Sequence, residues 1–142
     1  MSTLQILATT TFLASALAAA IPAYAADAMT AQQFADARLA AFGKGDVNAL
    51  MAQYSDDATV FSPMGVMHGK DQIRPMIEAV VGEFSQPGTT FKLNSQAAEG
   101  SNVAFVWQAE TSKNVYDLGV ETYVISNGKA VYQTLVTKVK AK

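Results

Sequence analysis

The second half of the chain is divided by short turn signals into four segments in which apolar and polar residues alternate. These segments are residues 89–99, 103–112, 115–126 and 129–140. Alternation with a period of two residues predicts strands. The last two segments are joined by Asn127-Gly128, and Asn-Gly is the strongest short signal for a hairpin. This half of the chain therefore predicts an antiparallel meander of four strands.

The preceding part of the chain, residues 30–84, shows mainly helical periodicity instead. Thr30 and Gln33 have the spacing of a capping box, which predicts a helix from residue 30 to 42. Asp46 is expected to cap a second, shorter helix, and residues 70–84 carry an apolar stripe typical of a third. A short strand is predicted at 58–62. The expected fold is α+β: a cone-shaped, curved antiparallel sheet wrapped on one face by three N-terminal helices.

The N-terminal segment has the composition of a secretory signal peptide. Residues 1–25 contain no charged side chain, and an apolar run at 6–21 precedes small residues at Ala23 and Ala25. This pattern predicts cleavage before Ala26, a mature domain at 26–142, and a periplasmic or secreted location by bacterial export, without membrane attachment after cleavage. The alternatives are a membrane anchor or a buried N-terminal helix.

The composition excludes several kinds of site. A net charge of −2 does not favour binding to nucleic acid. The absence of cysteine excludes thiolate metal sites and disulfides, and His68 is the only histidine, which disfavours a Ser-His-Asp triad. We therefore expect neither a cofactor nor a metal ion.

Pairing across the hairpins assigns the strand residues to the two faces of the sheet. With two-residue turns at Lys113-Asn114 and Asn127-Gly128, Val120 shares a face with Trp107, and Glu121 points to the other face. The face predicted to pack against the helices comprises Phe91, Leu93, Phe105, Trp107, Leu118, Val120, Val124, Val131 and Leu135. The apolar residues predicted on the outer face are Val106, Tyr123, Ile125, Tyr132 and Val136.

The run AAFGKGDVNALMAQYSDDATVFSPMGVMHGKDQIRPMI, residues 40–77, carries a family resemblance. It resembles the front half of the nuclear transport factor 2-like superfamily, especially ketosteroid isomerases and SnoaL-like polyketide cyclases. The shared features are a first helix ending in Gly-Asp, an aromatic residue before Asp-Asp-Ala-Thr-Val, a Pro-x-Gly motif and a His-Gly pair that opens a helix. The resemblance implies the fold more strongly than the activity, because this fold hosts many functions.

The resemblance also implies where an isomerase would keep its catalytic groups. The general-base aspartate falls at Ser62, and the tyrosine of the first helix falls at Arg38. The hydrogen-bonding acid of the third sheet strand falls at Val120 or Glu121. Since a serine hydroxyl without a base cannot move a proton as a carboxylate does, steroid isomerisation is disfavoured.

Arg38 is the most informative polar residue, because it lies within the apolar stripe of the first helix, four residues from both Phe34 and Phe42. A buried guanidinium needs an anion or several acceptors. It could hold a carboxylate, enolate or carbonyl oxygen of a ligand, extend to the rim of the pocket, or pair with an acid of the chain. The predicted pocket residues are Arg38, Ser62, Trp107, Val120, Thr122, Gln133 and Leu135.

These observations predict an exported domain whose apolar cavity, without an isomerase carboxylate, binds a small apolar molecule with an anionic or carbonyl group. One alternative is an enzyme of the polyketide cyclase or ketosteroid isomerase type with an altered active site. The other is a structural module that assembles with a partner chain. A homodimer through the outer sheet face is expected, as in proteins that this chain resembles. The catalytic residues, and whether any reaction occurs, stay open.

Overall fold

Residues 29–142, the part of the chain that the computed structural model describes, form three helices and a six-stranded sheet. The helices are α1 (Ala31–Gly43), α2 (Val47–Ala52) and α3 (Gly69–Phe84). The strands are β1 (Tyr54–Ser62), β2 (Gly65–His68), β3 (Thr90–Glu99), β4 (Asn102–Glu110), β5 (Asn114–Ser126) and β6 (Lys129–Ala141). The predicted signal peptide, 1–25, lies outside the described residues. Within 29–142 no helix is both long and apolar enough to cross a bilayer.

The helix starts follow from the capping residues in the sequence. The Thr30 side chain accepts a hydrogen bond from the backbone N–H of Gln33 at 3.2 Å, and the Gln33 side chain accepts one from Thr30 at 2.9 Å. Asp46 accepts from the backbone N–H of Ala49 at 2.9 Å and so begins α2. These caps satisfy N–H groups that a helix leaves unpaired at its start.

The sheet is mixed rather than wholly antiparallel. Its strand order is β2-β1-β6-β5-β4-β3, and β1 runs parallel to β6. Residues 65–68, for which the sequence predicted neither strand nor helix, form β2 and pair antiparallel with β1 at the edge of the sheet. The sequence contains no clear strand signal here because β2 has only four residues, begins with Gly65 and is followed directly by Gly69.

Two β-bulges set which side chains of β5 face the helices. Ser126 pairs with Lys129 as predicted, but Val131 is an extra residue in β6, so that Tyr123 pairs with Gln133 and Glu121 with Leu135. On the other side of β5, Asp117 is an extra residue, and four residues, 111–114, separate Glu110 and Val115, the last pair between β4 and β5. A shift of one residue turns every side chain of a strand to the other face.

The prediction for β5 was therefore wrong. Glu121, Tyr123 and Ile125 share a face with Phe105, which is buried under the helices. Val120, Thr122 and Val124 point to the opposite face, together with Val106, Tyr132 and Val136. The predicted inward positions of Phe105, Trp107, Gln133 and Leu135 are confirmed. The helices cover one face of the sheet, and aromatic side chains pack in the core between them. The ring centroids of Phe34 and Tyr123, for example, are 5.3 Å apart.

Candidate functional site

A mostly apolar pocket lies between α1, α3 and the inner face of the sheet. Its volume is about 60 Å³. A buried water needs roughly 10–15 Å³ on this measure, so the pocket matches a ligand's end group better than a whole ligand. Its walls are Leu39, Phe42, Leu50, Met76, Ile77, Val80, Val81, Phe84, Phe91, Phe105, Trp107 and Leu135, and its polar residues are Arg38, Glu121 and Gln133.

A second, wider hollow adjoins this pocket on the side of β3 and the C-terminal ends of α1 and α3. It has a volume of about 400 Å³. The two spaces share the side chains of Leu39, Phe42, Val81, Phe84 and Phe91. The rings of Phe42, Phe84 and Phe91 pack in T-shaped or tilted pairs, with centroids 5.4 to 6.5 Å apart. A ligand could therefore place its end in the pocket and its body in the outer hollow.

Glu121 is the carboxylate of the pocket. It is half-buried, and three donors hold it in place. The indole Nε1–H of Trp107 donates to Oε1 at 3.1 Å, Gln133 Nε2 donates to Oε2 at 3.2 Å, and the Tyr123 hydroxyl also donates to Oε2. A carboxylate has about four acceptor positions, which leaves one on Oε1. The prediction of an acid-free pocket was wrong because the bulges turn Glu121 inward.

Arg38 is buried behind this carboxylate and is surrounded by protein acceptors. Its Nη1 donates to the Leu50 carbonyl at 3.1 Å and to Gln53 Oε1 at 3.3 Å. Its Nη2 donates to the Tyr54 hydroxyl at 2.8 Å, and its Nε to the Tyr123 hydroxyl at 3.2 Å. The guanidinium also lies over both tyrosine rings, 4.8 Å from one centroid and 5.2 Å from the other. Four of the five N–H groups of an arginine are thus engaged.

Two chains of hydrogen bonds connect Arg38 to Glu121 and converge on one oxygen, Oε2. In the first, Arg38 donates to Tyr123, which donates to Glu121. In the second, Arg38 donates to Tyr54, Tyr54 to Gln133, and Gln133 to Glu121. All but one of the N–H and O–H donors in this network have a protein acceptor, and buried polar groups satisfied in this way stabilise one conformation. Of the three alternatives for Arg38, the structure agrees with association with an acid of the chain. The acid is Glu121, to which Arg38 is linked through the hydroxyl groups of Tyr54 and Tyr123.

The charges of the network follow from burial and proximity. Burial alone lowers the pKa of Arg38, but Tyr123, Tyr54 and Glu121 outweigh it and raise that pKa above its ordinary value. Burial raises the pKa of both Tyr54 and Tyr123, against the opposing charge of Arg38. The two hydroxyl groups therefore keep their protons at neutral pH and remain donors.

The structure brings together four of the seven predicted pocket residues. Arg38, Trp107, Gln133 and Leu135 line the pocket. Val120 and Thr122 do not, because the bulges in β5 and β6 turn them to the outer face. Ser62 is also absent from the pocket lining, since its hydroxyl donates to the Gly65 carbonyl at 3.1 Å within the turn between β1 and β2.

The sequence interpretation missed three residues of the network. Glu121 and Tyr123 were assigned to the outer face, and Tyr54, the aromatic residue before Asp-Asp-Ala-Thr-Val, was given no role in the pocket. Pairing Gln133 with Tyr123 rather than Thr122 would have placed Glu121 and Tyr123 on the inner face, but that pairing depends on the bulge at Val131. The alternation of β6 gives no sign of the bulge.

A second polar cluster lies outside the pocket and ties α3 to the connection between β4 and β5. Glu83 Oε1 accepts hydrogen bonds from Thr111 at 2.7 Å, Asn114 at 2.8 Å and Tyr116 at 3.0 Å. Burial raises the pKa of Glu83, but the hydrogen bonds from Asn114, Thr111 and Tyr116 outweigh it and the net pKa is lowered. Burial and the bond to Glu83 raise the pKa of Tyr116 to about 12. Among residues 29–142 no group of three His, Cys, Asp or Glu side chains could hold a metal ion.

Comparison with known structures finds the same fold in several bacterial proteins. A SnoaL-like protein from Burkholderia thailandensis is 20% identical with a TM-score of 0.62, covering 76% of this chain and 94% of that one. A steroid delta-isomerase from Pseudomonas aeruginosa is 18% identical, with a TM-score of 0.64 and coverage of 76% and 79%. An LEH-like epoxide hydrolase from M. tuberculosis is 14% identical, with a TM-score of 0.60 and coverage of 76% and 82%. At these identities the similarity shows the fold alone.

Sequence comparison is more specific about the family. A search of curated proteins found no match. The family model for the SnoaL-like domain matches residues 31–133, from the first turn of α1 to Gln133 in β6. That range includes Arg38, Tyr54, Glu121 and Tyr123, and covers most of the 142 residues. The chain therefore belongs to the SnoaL-like domain family, within the nuclear transport factor 2-like superfamily.

Proposed function

We propose that this chain is an exported domain that binds a small, mostly apolar molecule, with the polar end of the ligand beside Glu121. The observation that carries the proposal is a carboxylate and a guanidinium linked at the base of a pocket whose other walls are apolar. A few convergent polar groups in an apolar hollow are typical of small-molecule sites. Export is inferred from the signal-peptide pattern of residues 1–25.

Binding is favoured over catalysis by the shortage of reactive groups in the pocket. Proton transfer between two positions of a substrate usually needs an acid and a base within reach of both. Among the described residues that line the pocket, the titratable ones are Arg38 and Glu121, and most donors of Arg38 are already engaged. Ser62, where the family resemblance implies the isomerase base, lies outside the pocket lining.

The experiment that tests binding is native mass spectrometry of protein purified from its own host. Val80 is half-buried and lines the pocket from α3, whereas its neighbour Ala79 is exposed. Val80→Trp should fill the pocket, and Ala79→Trp is the matched control. We expect wild type and Ala79→Trp to retain the same additional mass and Val80→Trp to lose it. Retention of that mass by Val80→Trp would contradict binding in this pocket.

An enzyme is the second candidate, and Glu121 is the observation that favours it. Glu121 lines the pocket and has one acceptor position left, so its carboxylate could take a proton from a bound substrate. If so, Glu121→Gln should abolish turnover while leaving substrate binding within a few fold. Two of the structural relatives are named as a steroid delta-isomerase and an LEH-like epoxide hydrolase. Their names suggest which substrates to screen first.

We also propose that two copies of the chain associate through their outer sheet faces. The side chains of this face include Phe61, Val66, Val124, Tyr132 and Val136, each between 38% and 52% exposed. Exposed apolar side chains that gather on one face are typical of an interaction site. A second copy is the partner because a two-fold axis brings the same apolar patch against itself without requiring complementary charges.

A further inference from the structure

We propose that the pocket recognises an uncharged hydrogen-bond donor, a hydroxyl group, through the free acceptor position of Glu121 Oε1. This deepens the proposed function, on which it rests, by naming the chemical class of the ligand's polar end. It replaces the anionic or carbonyl group that the sequence led us to expect beside Arg38.

The first step of the argument is the direction of the hydrogen bonds. Trp107, Tyr123 and Gln133 all donate to Glu121, so the side chain is held as an acceptor. Oε2 receives two of these donors and Oε1 only the indole N–H. Because a carboxylate oxygen accepts about two hydrogen bonds, Oε1 has room for one more donor. Glu121 is half-buried and lines the pocket, so a ligand can supply that donor.

The second step concerns charge. The positive charge of Arg38 is already directed at Glu121 through Tyr123, and four N–H groups of Arg38 have protein acceptors. An anionic ligand would therefore meet the Glu121 carboxylate rather than free guanidinium donors. A cationic ligand would lose its hydration in an apolar pocket beside a carboxylate whose charge is already balanced. Burying an unbalanced charge is far more costly than burying a neutral hydroxyl group that finds an acceptor.

The third step concerns size. The inner pocket, about 60 Å³, is large enough for a hydroxyl group and a few carbon atoms. The outer hollow, about 400 Å³, is lined mainly by Leu39, Phe42, Phe84, Phe91 and Leu93 and has room for an apolar body. The ligand class is thus an apolar alcohol or phenol whose hydroxyl group enters first.

Four probes that share an eight-carbon chain separate the possibilities: 1-octanol, octyl methyl ether, octanoate and octylamine. Their affinities for the whole protein can be measured by isothermal titration calorimetry at pH 7. A hydrogen bond to a charged acceptor is worth about tenfold or more in affinity. We expect octanol to bind at least about tenfold more tightly than the ether, and octanoate and octylamine to bind more weakly than octanol.

Glu121→Gln removes the charge and keeps the size of the side chain. In this variant the advantage of octanol over the ether should fall to within about threefold, and the penalty for octanoate should shrink because the like charge is gone. Glu99→Gln, an exposed glutamate on β3, is the matched control and should keep the wild-type order. If Glu121→Gln does not fold, as judged by circular dichroism, the order of the four probes on wild type still decides the question.

Octanoate or octylamine as the tightest wild-type ligand would overturn the assignment of a neutral donor while leaving binding in the pocket intact. Equal binding of octanol and the ether would do the same. If none of the four probes binds at millimolar concentration, the proposed binding function fails as well.

Discussion

The indole ring of Trp107 lies against the backbone of Gly119 on the neighbouring strand. A Cβ atom placed on Gly119 would lie 2.2 Å from Cε2 of that ring. The two residues are paired between β4 and β5, and Glu121 pairs with Phe105 two residues away. The missing side chain of Gly119 therefore lets the indole lie across β5 and donate its N–H to Glu121. One glycine thus sets both the wall of the pocket and the position of its carboxylate.

Gly119→Ala should displace the indole and loosen the hold on Glu121. Overpacking of this kind typically destabilises a protein by about 1–3 kcal/mol. Thermal or denaturant unfolding measures the loss, and the fluorescence of Trp107, the sole tryptophan in the chain, should shift to longer wavelength. Gly82→Ala is the control: its Cβ would have no neighbour within 4 Å, and in a helix alanine should stabilise by about 0.5–1 kcal/mol. Unchanged stability and fluorescence in Gly119→Ala would show that the contact is unimportant.

Arg38→Met should destabilise the fold rather than affect ligand binding alone. The substitution removes the guanidinium hydrogen bonds to Tyr54, Tyr123 and the Leu50 carbonyl and leaves Glu121 without its balancing charge. Breaking a buried charge network by removing one member typically costs about 3–5 kcal/mol. Chemical denaturation checks this value, with the exposed Arg74→Met as a control expected within about 0.5 kcal/mol of wild type. A fully stable Arg38→Met protein would mean that the network does not hold the helices to the sheet.

Glu83 should make stability depend on pH in the acid range. Its pKa is lower in the folded protein than in the unfolded chain, because Asn114, Thr111 and Tyr116 hydrogen-bond the carboxylate and outweigh burial. The folded state therefore gains stability above the unfolded pKa of about 4.3, and loses it as pH falls through the lower folded value. Melting temperatures of wild type and Glu83→Gln should differ at pH 7 and converge well below pH 4. A constant difference across that range would contradict the role of the ionised carboxylate.

Val136→Lys should separate the proposed dimer. Val136 lies on the outer face, where a lysine in each copy would bring two like charges into an apolar contact. Light scattering after size exclusion should give a dimer for wild type and a monomer for the variant. Val139→Lys is a matched control on the same strand. Val139 pairs with Tyr116, whose ring packs inward against Phe84, so Val139 lies on the inner side of the sheet and not on the outer face. A wild-type monomer at micromolar concentration would contradict the dimer.

The sequence predicted the elements of the fold better than the faces of its strands. The capping box of Thr30, the cap at Asp46 and the hairpin at Asn127-Gly128 all have local signals, and all are present. The parallel pairing of β1 with β6 has no local signal, because it joins segments about seventy residues apart. The strand order could therefore be inferred only from the family resemblance.

The candidate site was predicted only in part, because the facing of its strand residues also depends on pairing that has no local signal. Arg38 stood out because a charge within an apolar helical stripe is unusual, and Trp107, Gln133 and Leu135, predicted to be pocket residues, lie in the pocket lining. On β5, Val120 and Thr122 were predicted to face the pocket, whereas Glu121 and Tyr123 do so. The error arose because both faces of β5 carry apolar residues. Where a strand is apolar on both faces, its register depends on bulges, and these are not visible in the alternation.

The most direct test of the central claim, that Glu121 is the ligand's acceptor in the pocket, is the nuclear magnetic resonance signal of the Trp107 indole N–H. The chain contains one tryptophan and so gives one indole cross-peak. Because this N–H donates to the same oxygen that should accept the ligand hydroxyl, the peak should move on saturation with 1-octanol and move less in Glu121→Gln. An indole peak that stays in place while resonances of the outer sheet face shift would contradict the account.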